Sequence, residues 1–178
     1  MQDLPTGSVI CFGSTIEGQF CIDTLLVVAT RERWVPADAA RLHVTAAFKT
    51  CTVGSITASG TDAHTDLTLY RGATIDHRVH GMYSFVPALP AATHDPRFAR
   101  PPIRLPRLIK PTNRQSTWGS KRPLSASEVR NARNEVRRQV LGAGLVLAVN
   151  LETPPKRKRC AHNASRKSNP LLIGESVD

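Results

Sequence analysis

The sequence predicts an α+β domain: a mainly antiparallel, barrel-like sheet with one C-terminal amphipathic helix followed by a closing strand. Three observations predict it. Two β-rich runs flank a Glu17-Gly18 turn near the N-terminus. Residues 125–141 carry helical apolar spacing behind a Ser-x-x-Glu sequence. A short apolar run, Gly144 to Leu151, follows that helix and stops at Pro154-Pro155.

The hairpin comes first. Gly7 to Ser14 holds the run Val9, Ile10, Cys11, Phe12, and Phe20 to Thr30 is a longer β-rich run. A glycine-containing turn between two such runs predicts antiparallel pairing. Strict alternation puts Phe20, Ile22, Thr24, Leu26 and Val28 on one face, and Cys21, Asp23, Leu25 and Val27 on the other. Cys11 and Cys21 are then expected on opposite sides. Pro36 to His43 predicts a short helix with Pro36 in its first turn. Val44 to Thr50 and Thr52 to Ala58 are weaker strand candidates. Leu67 to Tyr70 predicts a strand stopped by Arg71-Gly72, and Gly81 to Val86 another, with Tyr83 and Phe85 on one face. Pro87, Pro90 and Pro96 are expected to end regular structure.

In the 125–141 helix, Ser125 and Glu128 form a capping box. Val129, Ala132, Val136 and Val140 share a stripe, Arg130, Arg133, Arg137 and Arg138 take the other faces, and Gly142 is the expected stop. The strand after it needs a partner, for which the N-terminal hairpin is the first candidate. A single domain over 1–153 and a flexible basic tail over 154–178 follow from this reading.

At 40% hydrophobic and 21% charged residues, the composition excludes collagen, coiled-coil and disordered classes. The net charge of +10 is unevenly placed. Residues 1–96 carry 6 basic and 9 acidic side chains, whereas residues 97–178 carry 18 and 5. Such asymmetry points to a polyanion, and nucleic acid is the first candidate because neutralised phosphates release counterions. A merely solvated surface is the plainer alternative. No apolar run approaches the roughly 20 residues of a membrane span, so no membrane partner is expected. The N-terminus lacks the basic and apolar regions of a signal peptide, which predicts an intracellular place: cytoplasmic or nucleoid-associated, or nuclear in a eukaryotic host. Reduced cysteines follow. Oligomeric state is open.

The segment 97–123 concentrates the charge. Arg97, Arg100, Arg104, Arg107, Lys110 and Arg114 recur every three or four residues, and Pro101, Pro102, Pro106, Pro111 and Pro123 forbid a continuous helix. Phe98, Ile103, Leu105, Leu108, Ile109 and Trp118 are too apolar for a free linker. The reading is an extended strap, apolar side down and arginines out, that tracks a phosphate backbone. Tyr83, Phe85 and Trp118 are the candidates for stacking a base, each against the alternative of simple packing. Lys156, Arg157, Lys158 and Arg159 form a basic cluster that adds electrostatic reach.

Catalytic signals are thinner. Asp62 and Asp66 flank His64, a trio able to act as acid, base or ligand, though loops are rich in these residues anyway. His77-x-x-His80 and Cys160-x-His162 are the nearest metal-ligand spacings, and neither supplies the set zinc needs. Gly142-Ala-Gly144 follows a helix instead of opening one, the reverse of a phosphate loop. No cofactor is expected. A nucleotide- or nucleic-acid-acting enzyme with a loop-borne Asp/His site, and a non-catalytic protein-interaction accessory module, stand as alternatives to a binding module.

Gly7-Ser-Val-Ile-Cys-Phe-Gly-Ser14 followed by Phe20-Cys-Ile-Asp-Thr-Leu-Leu-Val-Val28 resembles the opening hairpin of PUA-like β-barrels, including EVE-type, ASCH-type and nucleotide-modification-associated domains. The resemblance spans about 20 positions, mostly apolar. This chain has Ser8 where Asp often follows the glycine. The resemblance implies a twisted barrel that reads RNA or a modified base in a cleft, and carries no catalytic set onto this sequence.

Overall fold

β-Branched and aromatic side chains dominate residues 9–34, and they form the long hairpin on which everything else is built. In the computed structural model, which describes residues 4–90, 99–105 and 124–149, β1 (Val9–Ile16) pairs antiparallel with β2 (Gln19–Trp34). Glu17 and Gly18 both take positive φ, 49° and 76°, the mirror-image turn that matches strand twist. β2 runs past the expected Thr30 and pairs its far half with β3 (Leu67–Gly72), giving the sheet order β1-β2-β3.

Alternation breaks twice inside β2, at Asp23 opposite β1 and at Ala29 opposite β3. Phe12 faces Thr24 but Gly13 faces Ile22, so Asp23 is the extra residue of a bulge. A one-residue insertion exchanges the faces. Ile22, Leu25 and Val27 therefore share the main core, each fully buried. This corrects the uniform even-numbered face expected from Phe20 to Val28. Gly13 sits at the bulge because any Cβ there would strike the Cys21 carbonyl and the Phe20 ring. Cys11, Cys21 and Cys51 are all free.

The second edge of β2 is completed piecewise. Ile22 N–H donates to the Pro101 carbonyl (3.1 Å), and Ile103 N–H to the Phe20 carbonyl (2.8 Å). Leu25 and Phe85 exchange both backbone bonds at 2.9 Å. Ala73 N–H reaches the Val27 carbonyl at 2.7 Å, and the Ser84 hydroxyl accepts the Val27 N–H at 2.9 Å. Three separate segments thus satisfy the backbone groups of one strand, as burial demands.

Beyond Phe85, β4 (Val86–Ala88) pairs antiparallel with β5 (Val146–Ala148). The closing strand therefore has β4, and not the hairpin, as its partner. Pro87 is inside β4 instead of ending structure: it lacks an N–H, but its carbonyl accepts from Ala99 at 3.1 Å. Among the described residues the strands do not close into a barrel; they form a three-stranded and a two-stranded sheet joined through the Leu25–Phe85 bridge.

Residues expected as strands over 44–58 are helical: α1 (Ala46–Phe48), a wide π-type turn (Lys49–Val53) and α2 (Gly54–Ala58). Thr45 caps the start by accepting the Phe48 N–H at 3.2 Å. A 3-10 turn, Pro36–Arg41, precedes them with proline at its first position, as expected. Val53 is buried here with Leu42 and Leu69, a second and smaller core flanked by Trp34 and Val44. Burial of Val53 on one helical face outweighs the β preference of the threonines and valines nearby.

α3 (Ala126–Gly142) carries the expected capping box, Ser125 N–H to Glu128 Oε2 at 2.8 Å and Glu128 N–H to Ser125 Oγ at 3.3 Å. It ends two residues later than Gly142 predicts. Gly144 adopts φ 75°, its N–H donates to the Leu141 carbonyl, and Leu145 N–H donates to the Val140 carbonyl. That is a Schellman end, with Leu145 buried in the same cluster as Val140. Val136 and Val140 face the core as expected, and Arg133, assigned to an outer face, is buried beside them.

Candidate polyanion-binding surface

The described part of the strap is extended and apolar side down. Ile103 is buried in the main core, and Ala99 and Leu105 pack against it. Its two arginines face outward. Arg104 is exposed, and Arg100 pairs with Asp23 at 2.5 Å while its side chain stays 58% exposed. Gln139 of α3 holds the chain at Arg104 from both sides of one peptide group pair. Its Oε1 accepts the Arg104 N–H (2.8 Å), and its Nε2 donates to the Arg104 carbonyl (2.9 Å). The same Nε2 donates to Glu135 at 2.8 Å, and Glu135 accepts two bonds from Arg138. Arg138 and then Gln139 hold the Glu135 carboxyl down to about 2. Arg130, Arg137 and Arg138 are exposed on α3.

Arg97, Arg107, Lys110, Arg114, Trp118 and the Lys156, Arg157, Lys158, Arg159 cluster lie outside the described residues, as does the tail over 154–178.

The two described aromatics are engaged by cations. The Arg133 guanidinium lies 4.7 Å from the centre of the Tyr83 ring and 5.5 Å from that of Phe85, and Arg78 lies 5.3 Å from Tyr83. Phe85 is 2% exposed, so its ring is a packing element that presents no face to a base. Tyr83 is half-buried. Arg133, 4% exposed, donates to the Tyr83 carbonyl at 3.2 Å, and its Nε has no acceptor among the described residues. Burial presses its pKa downward from the ordinary guanidinium range. Two aromatic faces, the Tyr83 carbonyl and the Asn134 Oδ1, which accepts at 3.4 Å, take the place of a carboxylate.

The Asp62–His64–Asp66 loop is exposed, and Asp62 Oδ1 accepts the His64 backbone N–H at 2.7 Å, an ordinary Asx turn. His77 and His80 are exposed as well. His80 borders a cavity of about 200 Å³ between residues 5–8 and the start of α3. No group of three or more His, Cys, Asp or Glu side chains fit to hold a metal occurs among the described residues. No helix among them is long and apolar enough to cross a membrane.

One feature escapes the sequence reading altogether. A shallow groove of about 850 Å³ opens beside the small core, and Arg41, His43, Lys49 and Arg71 line it together with Leu42 and Val44. The signal was available only in part. Arg41, His43 and Lys49 are close in sequence, but Arg71 arrives from β3, and the acidic balance of the first half hides all four. No family model, no curated protein and no solved structure matches the chain.

Proposed function

We propose that the chain is a nucleic-acid or modified-nucleotide binding module, built as an incomplete, PUA-like curl of antiparallel strands. The strap supplies phosphate contacts through Arg100 and Arg104, and the outer arginines of α3 extend them. One observation carries the reading: the strap is pinned to β2 and clamped by Gln139 while both its described arginines remain outside. A guanidinium held on a fixed backbone loses little further freedom when it meets a phosphate, and its planar fork suits two oxygens at once.

Fluorescence anisotropy with a labelled single-stranded 20-mer tests this. Affinity should fall steeply between 50 and 200 mM salt, and Arg100→Gln and Arg104→Gln should each lower the salt slope by about 0.7. Salt-insensitive binding, or variants that match the parent chain, would overturn the proposal.

A further inference from the structure

We propose that the groove beside the small core binds a phosphate group carried on an apolar body, the chemistry of a mononucleotide, taken either free or as the phosphorylated end of a strand. The choice of a nucleotide rests on the function proposed above; the anion site itself does not.

Three permanent cations from three separate elements reach the same concavity: Arg41 at the end of the 3-10 turn, Lys49 in the π-type turn and Arg71 in β3. Each is held yet keeps donors to spare. Lys49 Nζ donates to the Ala40 carbonyl at 3.0 Å, which uses one of three hydrogens. Arg71 spends one nitrogen on Glu32 at 3.1 Å, and Arg41 one on Asp38 at 3.2 Å. Each guanidinium has five N–H donors, so most stay available to an anion. Both carboxylates lie outside the groove's lining, which itself contains no carboxylate among the described residues. His43 adds a further ring donor.

The other half of the ligand follows from the rest of the lining. Half-buried Val44 and exposed Ala40 add apolar surface to the lining, over the buried Leu42 side chain. A bare inorganic anion would leave that surface wet. A ligand with a charged group at one end and a flat apolar body at the other covers both. Among the described residues neither the strap (99–105) nor α3 contributes to this groove, so its described lining is separate in its side chains from Arg100 and Arg104.

Calorimetric titration of the full chain with adenosine 5′-monophosphate, adenosine and inorganic phosphate tests the assignment. The monophosphate should bind at least about tenfold tighter than either fragment. Lys49→Gln and Arg71→Gln should each weaken it about tenfold, the worth of one charge-assisted hydrogen bond, and the more exposed Arg41→Gln about threefold. Arg41 is exposed enough that its variant keeps the test alive if Arg71→Gln unfolds. A 5′-phosphorylated oligonucleotide that displaces the monophosphate, where its 5′-hydroxyl counterpart does not, identifies a strand end as the source. Failure to displace identifies the free nucleotide. Monophosphate binding no tighter than phosphate, or unchanged in all three variants, would overturn the proposal. Arg100→Gln with Arg104→Gln should leave monophosphate affinity intact. A chain that binds the monophosphate but no strand would sink the surface reading alone.

Discussion

Around Ile22, Leu25 and Val27, β2 is packed by α3 and Phe85, and its edge is sealed by residues 101–103; around Leu69 the sheet's far half is covered, among the described residues, by the lobe of residues 36–58. Among the described residues the first core holds ten buried side chains and the second three, a difference that predicts unequal local stability for the body and the lobe. The lobe's helical run is also weakened from within. Ser55, Thr57 and Ser59 turn their hydroxyls back onto the carbonyls of Cys51, Val53 and Ile56, which competes with regular helix bonding. The body is the scaffold, and the groove sits on the part that can adjust at low cost.

Truncation in each core tests that contrast most strongly. Leu25→Ala should cost about 2–5 kcal/mol and lower the midpoint of global unfolding. Val53→Ala removes about two methylene-sized groups, roughly 1.5 kcal/mol. Hydrogen exchange should then show lost protection over 42–58, with the amides of α3 unchanged. Loss of protection in α3 as well would show that lobe and body unfold as one unit.

Arg133 sharpens the contrast from the body's side, because it is a buried cation with aromatic partners where the lobe displays its cations in a groove. If its role is packing, Arg133→Met keeps most of the stem contacts without a charge to solvate, and should cost about 1 kcal/mol or less. Arg133→Lys keeps the charge but loses the flat guanidinium against Tyr83 and Phe85, and should cost about 2 kcal/mol. Chemical denaturation that ranks Met as the more harmful would show that the charge itself is needed.

The same contrast explains what the sequence made legible. The hairpin turn and the Ser125–Glu128 capping box depend on neighbours within a few residues, and both stand where expected. The helical lobe is hidden because Val44 to Ala58 has β-forming side chains, and packing against Leu42 and against Leu69 and Trp34, which come from β3 and β2, decides which of them is buried. The bulge at Asp23 leaves no composition cue, yet it exchanges the faces of the residues that follow it, Leu25 and Val27. Arg133 was placed outside because a charged residue ordinarily is; Tyr83 and Phe85 reach it across fifty residues of chain. Of the candidate surface, the strap's extended course and outward arginines could be read at 99–105. The Gln139 clamp could not, since a glutamine on a helix says nothing of the backbone it will meet.

The smallest predicted effect tests how the body fastens that strap. Glu135 orients Gln139, and Gln139 holds the Arg104 peptide. With the carboxyl held down to about 2 in the folded chain, against an ordinary 4.5, the folded state binds this proton less readily than the unfolded one. The contribution is therefore fully present above about 4.5 and is lost as pH falls toward about 2. Because the pair is exposed, the effect on stability is slight and salt reduces it. It should be visible locally: in an NMR titration the Gln139 side-chain amide and the Arg104 backbone amide should shift together, with a midpoint near 2 that moves upward in added salt. Glu135→Gln should abolish the step in both resonances. A midpoint near 4.5, or an Arg104 amide indifferent to the titration, would mean that the strap is held by its backbone bonds to β2 alone and that the relay through Gln139 adds nothing.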